Sequence, residues 1–158
     1  MLVYYFVYVT GKVDTVAKSL TDSTGDLTVW ARLAYEGGEE LRTRIKPGAW
    51  MPAKEVEITV GTPVWRPGGV HMPMSWKATG PDVLFPVLEA DLILEAVGDE
   101  LTQITLRGSY KPPLGPVGRL LDRALLHHLA EACVKNFMDR IESALNPSNH
   151  PNIAAEAL

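Results

Sequence analysis

Apolar and polar positions change period several times along the chain, and each change marks an element. Leu2 to Val9 reads LVYYFVYV, dense in β-branched and aromatic residues and closed by Thr10-Gly11. Apolar on both faces, it predicts a strand covered on both sides or lying at a closed seam. Val13, Val16, Ala17 and Leu20, with Asp14 near their start, predict a short helix with one inward stripe. Thr21–Gly25 reads as a loop, and Asp26 as the N-cap of the next helix. Leu27, Trp30, Ala31, Ala34, Gly38, Leu41 and Ile45 then recur at steps of three and four, predicting a helix of about five turns. Gly37-Gly38 interrupts it at a cost of about 1 kcal/mol per glycine, which predicts a kink or a split there. Whether such a break would be a gate or a plain interruption stays open. Lys46-Pro47-Gly48 ends the helix.

From Lys54 the period becomes two. Val56, Ile58 and Val60 alternate with Glu55, Glu57 and Thr59 up to Gly61, and Thr62–Arg66 pairs back before the turn Pro67-Gly68-Gly69. Val70, Met72, Met74, Trp76 and Ala78 form the apolar side of the next strand. Pro73 lacks an N–H, so this strand belongs at an edge or carries a bulge. After Thr79–Asp82, Leu88, Ala90, Leu92, Leu94 and Ala96 share one face of a strand that turns at Gly98-Asp99-Glu100. It forms a hairpin with a partner whose inner set is Ile104, Leu106, Gly108 and Tyr110. Pro112–Pro116 breaks regular structure, and 117–145 reads as the longest helix, striped by Ala130, Cys133, Val134, Phe137, Met138, Ile141 and Leu145. Asn146-Pro147 ends it. The expectation is one α+β domain over 1–146, with a loosely ordered tail over 147–158. A curved antiparallel sheet wraps the long C-terminal helix, and two helices sit between the first and second strands.

Composition narrows the function more than it defines it. The formal net charge is −4, and the densest basic group, Arg42, Arg44 and Lys46, sits beside Glu39 and Glu40, so nucleic acid is not an expected partner. With 1 cysteine, Cys133, there can be no internal disulfide, and its apolar helical setting suits a buried structural thiol. The apolar opening lacks the basic residues and cleavage site of a signal peptide, and no run approaches the ~20 residues of a membrane-spanning helix. The expected location is the cytoplasm, with no stable membrane insertion.

Candidate chemistry is sparse. His71, His127, His128 and His150 show no i, i+4 spacing and no paired cysteines accompany them, so no metal site is expected. No nucleophile motif, phosphate loop or other cofactor signature is present, and no residue is assigned as catalytic. Glu89, Asp91 and Glu95 fall on the face opposite Leu88, Leu92 and Leu94, as a solvated face would. What stands out is the inner surface. Trp30, Tyr35, Met72, Met74, Trp76, Leu106, Tyr110 and His128 are the candidate ligand-binding residues, since small-molecule pockets are largely apolar with a few polar tips. Methionine adapts to varied ligand shapes. The same side chains would equally fill a core that holds no ligand.

Several segments together resemble a family. They are Val60-Gly61-Thr62-Pro63, Met74-Ser75-Trp76-Lys77-Ala78, Leu84-Phe85-Pro86, the run Leu106 to Gly115, Leu121-Asp122-Arg123 and Leu129-Ala130-Glu131-Ala132. With the order of elements, they are similar to the START-like (SRPBCC) superfamily of helix-grip proteins, in a bacterial branch. The likeness is strongest over 54–145. It implies a cavity between the concave sheet and the last helix that takes a lipid-like, polyketide-like or aromatic molecule. It transfers no catalytic residue, because the superfamily has no shared catalytic motif. Three readings follow: a binding protein for a small hydrophobic molecule, a cyclase or dehydratase using Tyr110, Arg107 or a histidine, and an interaction protein with a filled core. In the last, strand Val70–Ala78 would form the interface. Monomer and homodimer are both open.

Overall fold

The computed structural model describes residues 2–45, 56–78, 87–111 and 123–146. In chain order the elements are β1 (Leu2–Thr10), α1 (Val13–Asp22), α2 (Thr24–Ile45), β2 (Val56–Val60), β3 (Val64–Arg66), β4 (Gly69–Ala78), β5 (Val87–Gly98), β6 (Leu101–Lys111) and α3 (Arg123–Leu145). The strands make a 6-stranded antiparallel sheet in the order β1-β6-β5-β4-β2, with β3 also paired to β4. This is the expected α+β, helix-grip architecture.

Alternation decides which face each strand buries. Even-numbered residues of β4, β5 and β6 and odd-numbered residues of β1 point inward, and the register aligns them in rows. Val70, Leu94, Ile104 and Val7 form one row. Met72, Leu92, Leu106 and Tyr5 form the next, Met74, Ala90, Gly108 and Val3 a third, and Trp76, Leu88 and Tyr110 a fourth. Helix α3 runs along β1 and against α2, and α2 reaches β2, so the two helices cover the concave face. Their stripes (Leu27, Ala31, Ala34 and Tyr35 on α2; Ala130, Val134, Phe137, Met138 and Ile141 on α3) are buried with the rows. At one end α1 adds Val16, Ala17 and Leu20. Gly11, at φ 134, turns the chain out of β1 in a conformation that side chains disfavour, and its N–H donates to the Glu100 carbonyl at 2.9 Å.

Four expectations are corrected. The loop expected over Thr21–Gly25 shrinks to Ser23, so Asp26 lies in the first turn of α2 rather than at its cap. Helix α2 also runs unbroken through Gly37-Gly38. The reason is packing: a Cβ on Gly38 would run into Cys133 Sγ, so the glycine lets α3 approach. Pro73 lies inside the sheet, opposite Asp91 on β5. Its other side falls between the ends of β2 and β3, where the Gly61 N–H donates to the Pro73 carbonyl at 2.6 Å and no N–H is required of the proline. Finally, β1 is not covered on both faces. It is an edge strand, and Leu2, Tyr4, Phe6 and Tyr8 are exposed on its outer side. The expected helix start at 117 and the tail over 147–158 lie outside the described residues.

Candidate functional site

The inner surface is not uniform. Val70, Met72, Leu92, Leu94, Ile104 and Leu106 are sealed completely. Toward the other end of the sheet the rows retain slight accessibility, reaching 9% at Ala90, and Tyr110 is only half-buried. The reason lies in side-chain size. In the third row the two central positions are Ala90 and Gly108, directly opposite one another between the larger Met74 and Val3. Gly108 cannot be enlarged cheaply, because a Cβ there would meet Ala90 Cβ at 2.7 Å and the Glu89 carbonyl oxygen at 2.8 Å. A glycine inside a strand often marks such a close approach. This pair of small residues, bordered by Trp76, Leu88 and Tyr110 on one side and by the sealed Met72–Leu106 row on the other, is the candidate floor of an apolar basin.

Trp76 reaches across to α3. Its ring meets Phe137 edge-on, with centroids 5.5 Å apart and planes at 65°, a favoured aromatic geometry. This pair forms the wall between sheet and helix. Among the described residues the buried polar side chains are Thr102, Thr105 and Asn146, none of them in the rows around that floor. The candidate basin is therefore apolar, with Tyr110 at its margin.

The eight residues expected at the site separate into groups. Met74, Trp76 and Tyr110 surround the basin. Met72 and Leu106 sit one row away in sealed core, and Tyr35 is buried on α2. Trp30, half-buried, lines instead a solvent-open cleft of about 530 Å³ between α2 and α3, together with Asn136, Asp139, Arg140, Ser143 and Ala144. There Asp139 accepts from the Tyr5 hydroxyl at 3.4 Å and from the Lys135 ammonium. That second bond holds the Lys135 pKa above the usual lysine value, with burial opposing it. His128 lies on the solvent side of α3, its side chain 74% exposed and 3.6 Å from Glu131. Its neighbour His127 contacts the same carboxylate at 3.1 Å. Ala90, Gly108, Leu88 and Phe137 complete the basin and were not singled out from sequence. The available signal was Gly108, a glycine interrupting an otherwise bulky inner set.

Among the described residues no group of three or more His, Cys, Asp or Glu side chains is arranged to hold a metal ion. No described helix is long and apolar enough to cross a membrane.

No family model and no curated protein sequence matches the chain. Solved structures do. A conserved protein from Geobacillus kaustophilus aligns over 95% of this chain and 98% of its own, with TM-score 0.58 and 18% identity. A hypothetical protein from Helicobacter pylori aligns over 92% and 88%, with TM-score 0.51 and 12% identity. A protein from Thermus thermophilus covers 95% and 100%, with TM-score 0.50 and 14% identity. At these identities the likeness is one of fold, and it extends over nearly the whole chain. An open antiparallel sheet with a long C-terminal helix, and two helices after the first strand, gives this chain the α+β helix-grip fold expected from its sequence.

Proposed function

We propose that the protein binds a small apolar molecule, lipid-like, polyketide-like or aromatic, in the basin above Ala90 and Gly108. The observation that carries this reading is the pairing of Ala90 with Gly108, the smallest residues of the four inner rows, at one point of a floor otherwise built from larger apolar and aromatic side chains. Trp76, Met74, Leu88, Phe137 and Tyr110 would contact the ligand. Enclosure supplies the affinity, at roughly 25 cal/mol per Å² of apolar surface withdrawn from water. Among the described residues, Tyr110 offers a polar tip nearby for orientation.

Binding rather than turnover is favoured by where the polar groups lie. Arg107 points outward on β6 opposite Asp91, and His128 is exposed, which among the described residues weighed for acid–base chemistry leaves Tyr110. The interaction reading through β4 loses its surface, because Val70, Met72, Met74 and Trp76 are all buried.

A fluorescent apolar probe, anilinonaphthalene sulfonate, tests the proposal. The wild type should bind it saturably while still unfolding cooperatively. Ala90→Leu, which fills the basin, should weaken that binding at least roughly tenfold, about 1.4 kcal/mol, with little loss of stability. If the basin is instead solid core, the wild type shows no saturable binding. Ala90→Leu then costs about 1–3 kcal/mol through overpacking.

A further inference from the structure

The cleft between α2 and α3 is chemically unlike the apolar rows, and it lies apart from them. Its α3 wall includes Asn136, Asp139, Arg140 and Ser143, spaced three and four residues apart along one flank of the helix, while α2 contributes Trp30. The completely buried stripe of Phe137, Met138 and Ile141 lies between this flank and the sheet.

Arg140 distinguishes the cleft. Of the described arginine side chains, Arg32, Arg66 and Arg107 are exposed, whereas Arg140 is half-buried. Its Nε donates to Asn136 Oδ1 at 2.8 Å, which restrains the guanidinium plane. Asn136 rests in turn against α2, its Nδ2 lying 3.8 Å from where a Cβ on Gly37 would stand. No described carboxylate pairs with this guanidinium. Asp139, its neighbour in the lining, accepts from the Tyr5 hydroxyl at 3.4 Å and from the Lys135 ammonium, so its charge is matched on the β1 side. Arg140, Lys135 and Asp139 together therefore leave one positive charge. With Nε engaged, the two Nη groups of Arg140 are the donors left for an acceptor, and among the described residues they have none.

We propose that this cleft is a second binding site, for a small organic carboxylate with a flat apolar body. The two Nη groups match the two oxygens of a carboxylate in parallel charge-assisted hydrogen bonds. A single carboxylate also balances the one positive charge left over. Trp30, half-buried, supplies an indole against which a flat apolar body packs. Ser143 adds a hydroxyl able to donate to the same anion. The apolar basin offers none of these charged groups, so the two sites select different molecules.

Benzoate is the probe, followed through the side-chain N–H resonances of the full chain by heteronuclear NMR. The Trp30 indole N–H, identified by its loss in Trp30→Phe, and the Arg140 Nε–H should shift together and saturably, while the Trp76 indole of the basin wall stays in place. Benzyl alcohol, of similar shape without the charge, should bind at least roughly tenfold more weakly to the wild type. Arg140→Gln should lower benzoate affinity at least roughly tenfold with unfolding still cooperative. Arg140→Lys keeps the charge and loses the fork, so it should recover only part of that affinity. No saturable shift with benzoate, equal affinity for benzyl alcohol, benzoate binding unchanged in Arg140→Gln, or a response confined to the Trp76 indole would each overturn the proposal.

Discussion

At the scale of single residues, neighbouring glycines in α2 carry opposite consequences. A Cβ on Gly37 meets nothing closer than Asn136 Nδ2 at 3.8 Å, an ordinary contact, so Gly37→Ala should gain up to about 1 kcal/mol from helix propensity alone. Gly38→Ala drives a methyl into Cys133 Sγ, and the overpacking cost of about 1–3 kcal/mol exceeds that gain. Urea unfolding of the two variants should move the midpoints in opposite directions, and adding Cys133→Ala to Gly38→Ala should recover much of the loss. Midpoints that shift together would mean the helices are not held at this distance. Asn146 is another residue whose type matters more than its bulk. Asn146→Ala withdraws the partners of the Tyr8 carbonyl and the Thr10 N–H at a buried position, and should cost about 1–3 kcal/mol in the same assay.

At the scale of elements, the strands were legible because their period is two and their inner sets are long. The faces of β4, β5 and β6 assigned from alternation are the faces the register confirms, down to Gly108 within the inner set of β6. Helix ends and pair partners were less legible. Gly37-Gly38 looks like a break when only propensity is weighed, since the compensating approach of Cys133 comes from a distant part of the chain. Pro73 looks like an edge residue because the β2–β3 interruption that accommodates it belongs to other strands. The outer face of β1 misled for the reverse reason: apolar residues usually imply cover, and here none of the described elements supplies it. The site was half legible. Bulky inner residues announced an apolar surface, but the proposed basin rests on the small ones, Ala90 and Gly108, whose pairing appears only when the register sets them side by side. His128 illustrates the same gap, since adjacent histidines on a helix point in different directions and only the packing of α3 decides which meets solvent.

At the scale of the whole molecule, an open sheet closed by two helices has its inner rows sealed at the α1 end and slightly more accessible at the Trp76–Tyr110 end. Ligand binding in that half should stabilise the protein in proportion to occupancy, by about 2.7 kcal/mol at a hundredfold excess over Kd. Thermal unfolding with increasing anilinonaphthalene sulfonate should therefore shift upward for wild type and stay flat for Ala90→Leu. Trp76→Ala removes the wall against Phe137 and should lower stability by about 3–5 kcal/mol, so it is a poor probe of binding, whereas Ala90→Leu separates the two. The measurement that bears most directly on a ligand in the basin is a native mass spectrum of freshly purified wild type beside Ala90→Leu. Occupancy of the basin predicts a wild-type adduct of small-molecule mass that is lost on denaturation and extracts into an apolar solvent, and none on Ala90→Leu. An adduct carried equally by both proteins, or a bare wild type that also fails to bind the probe, would contradict it.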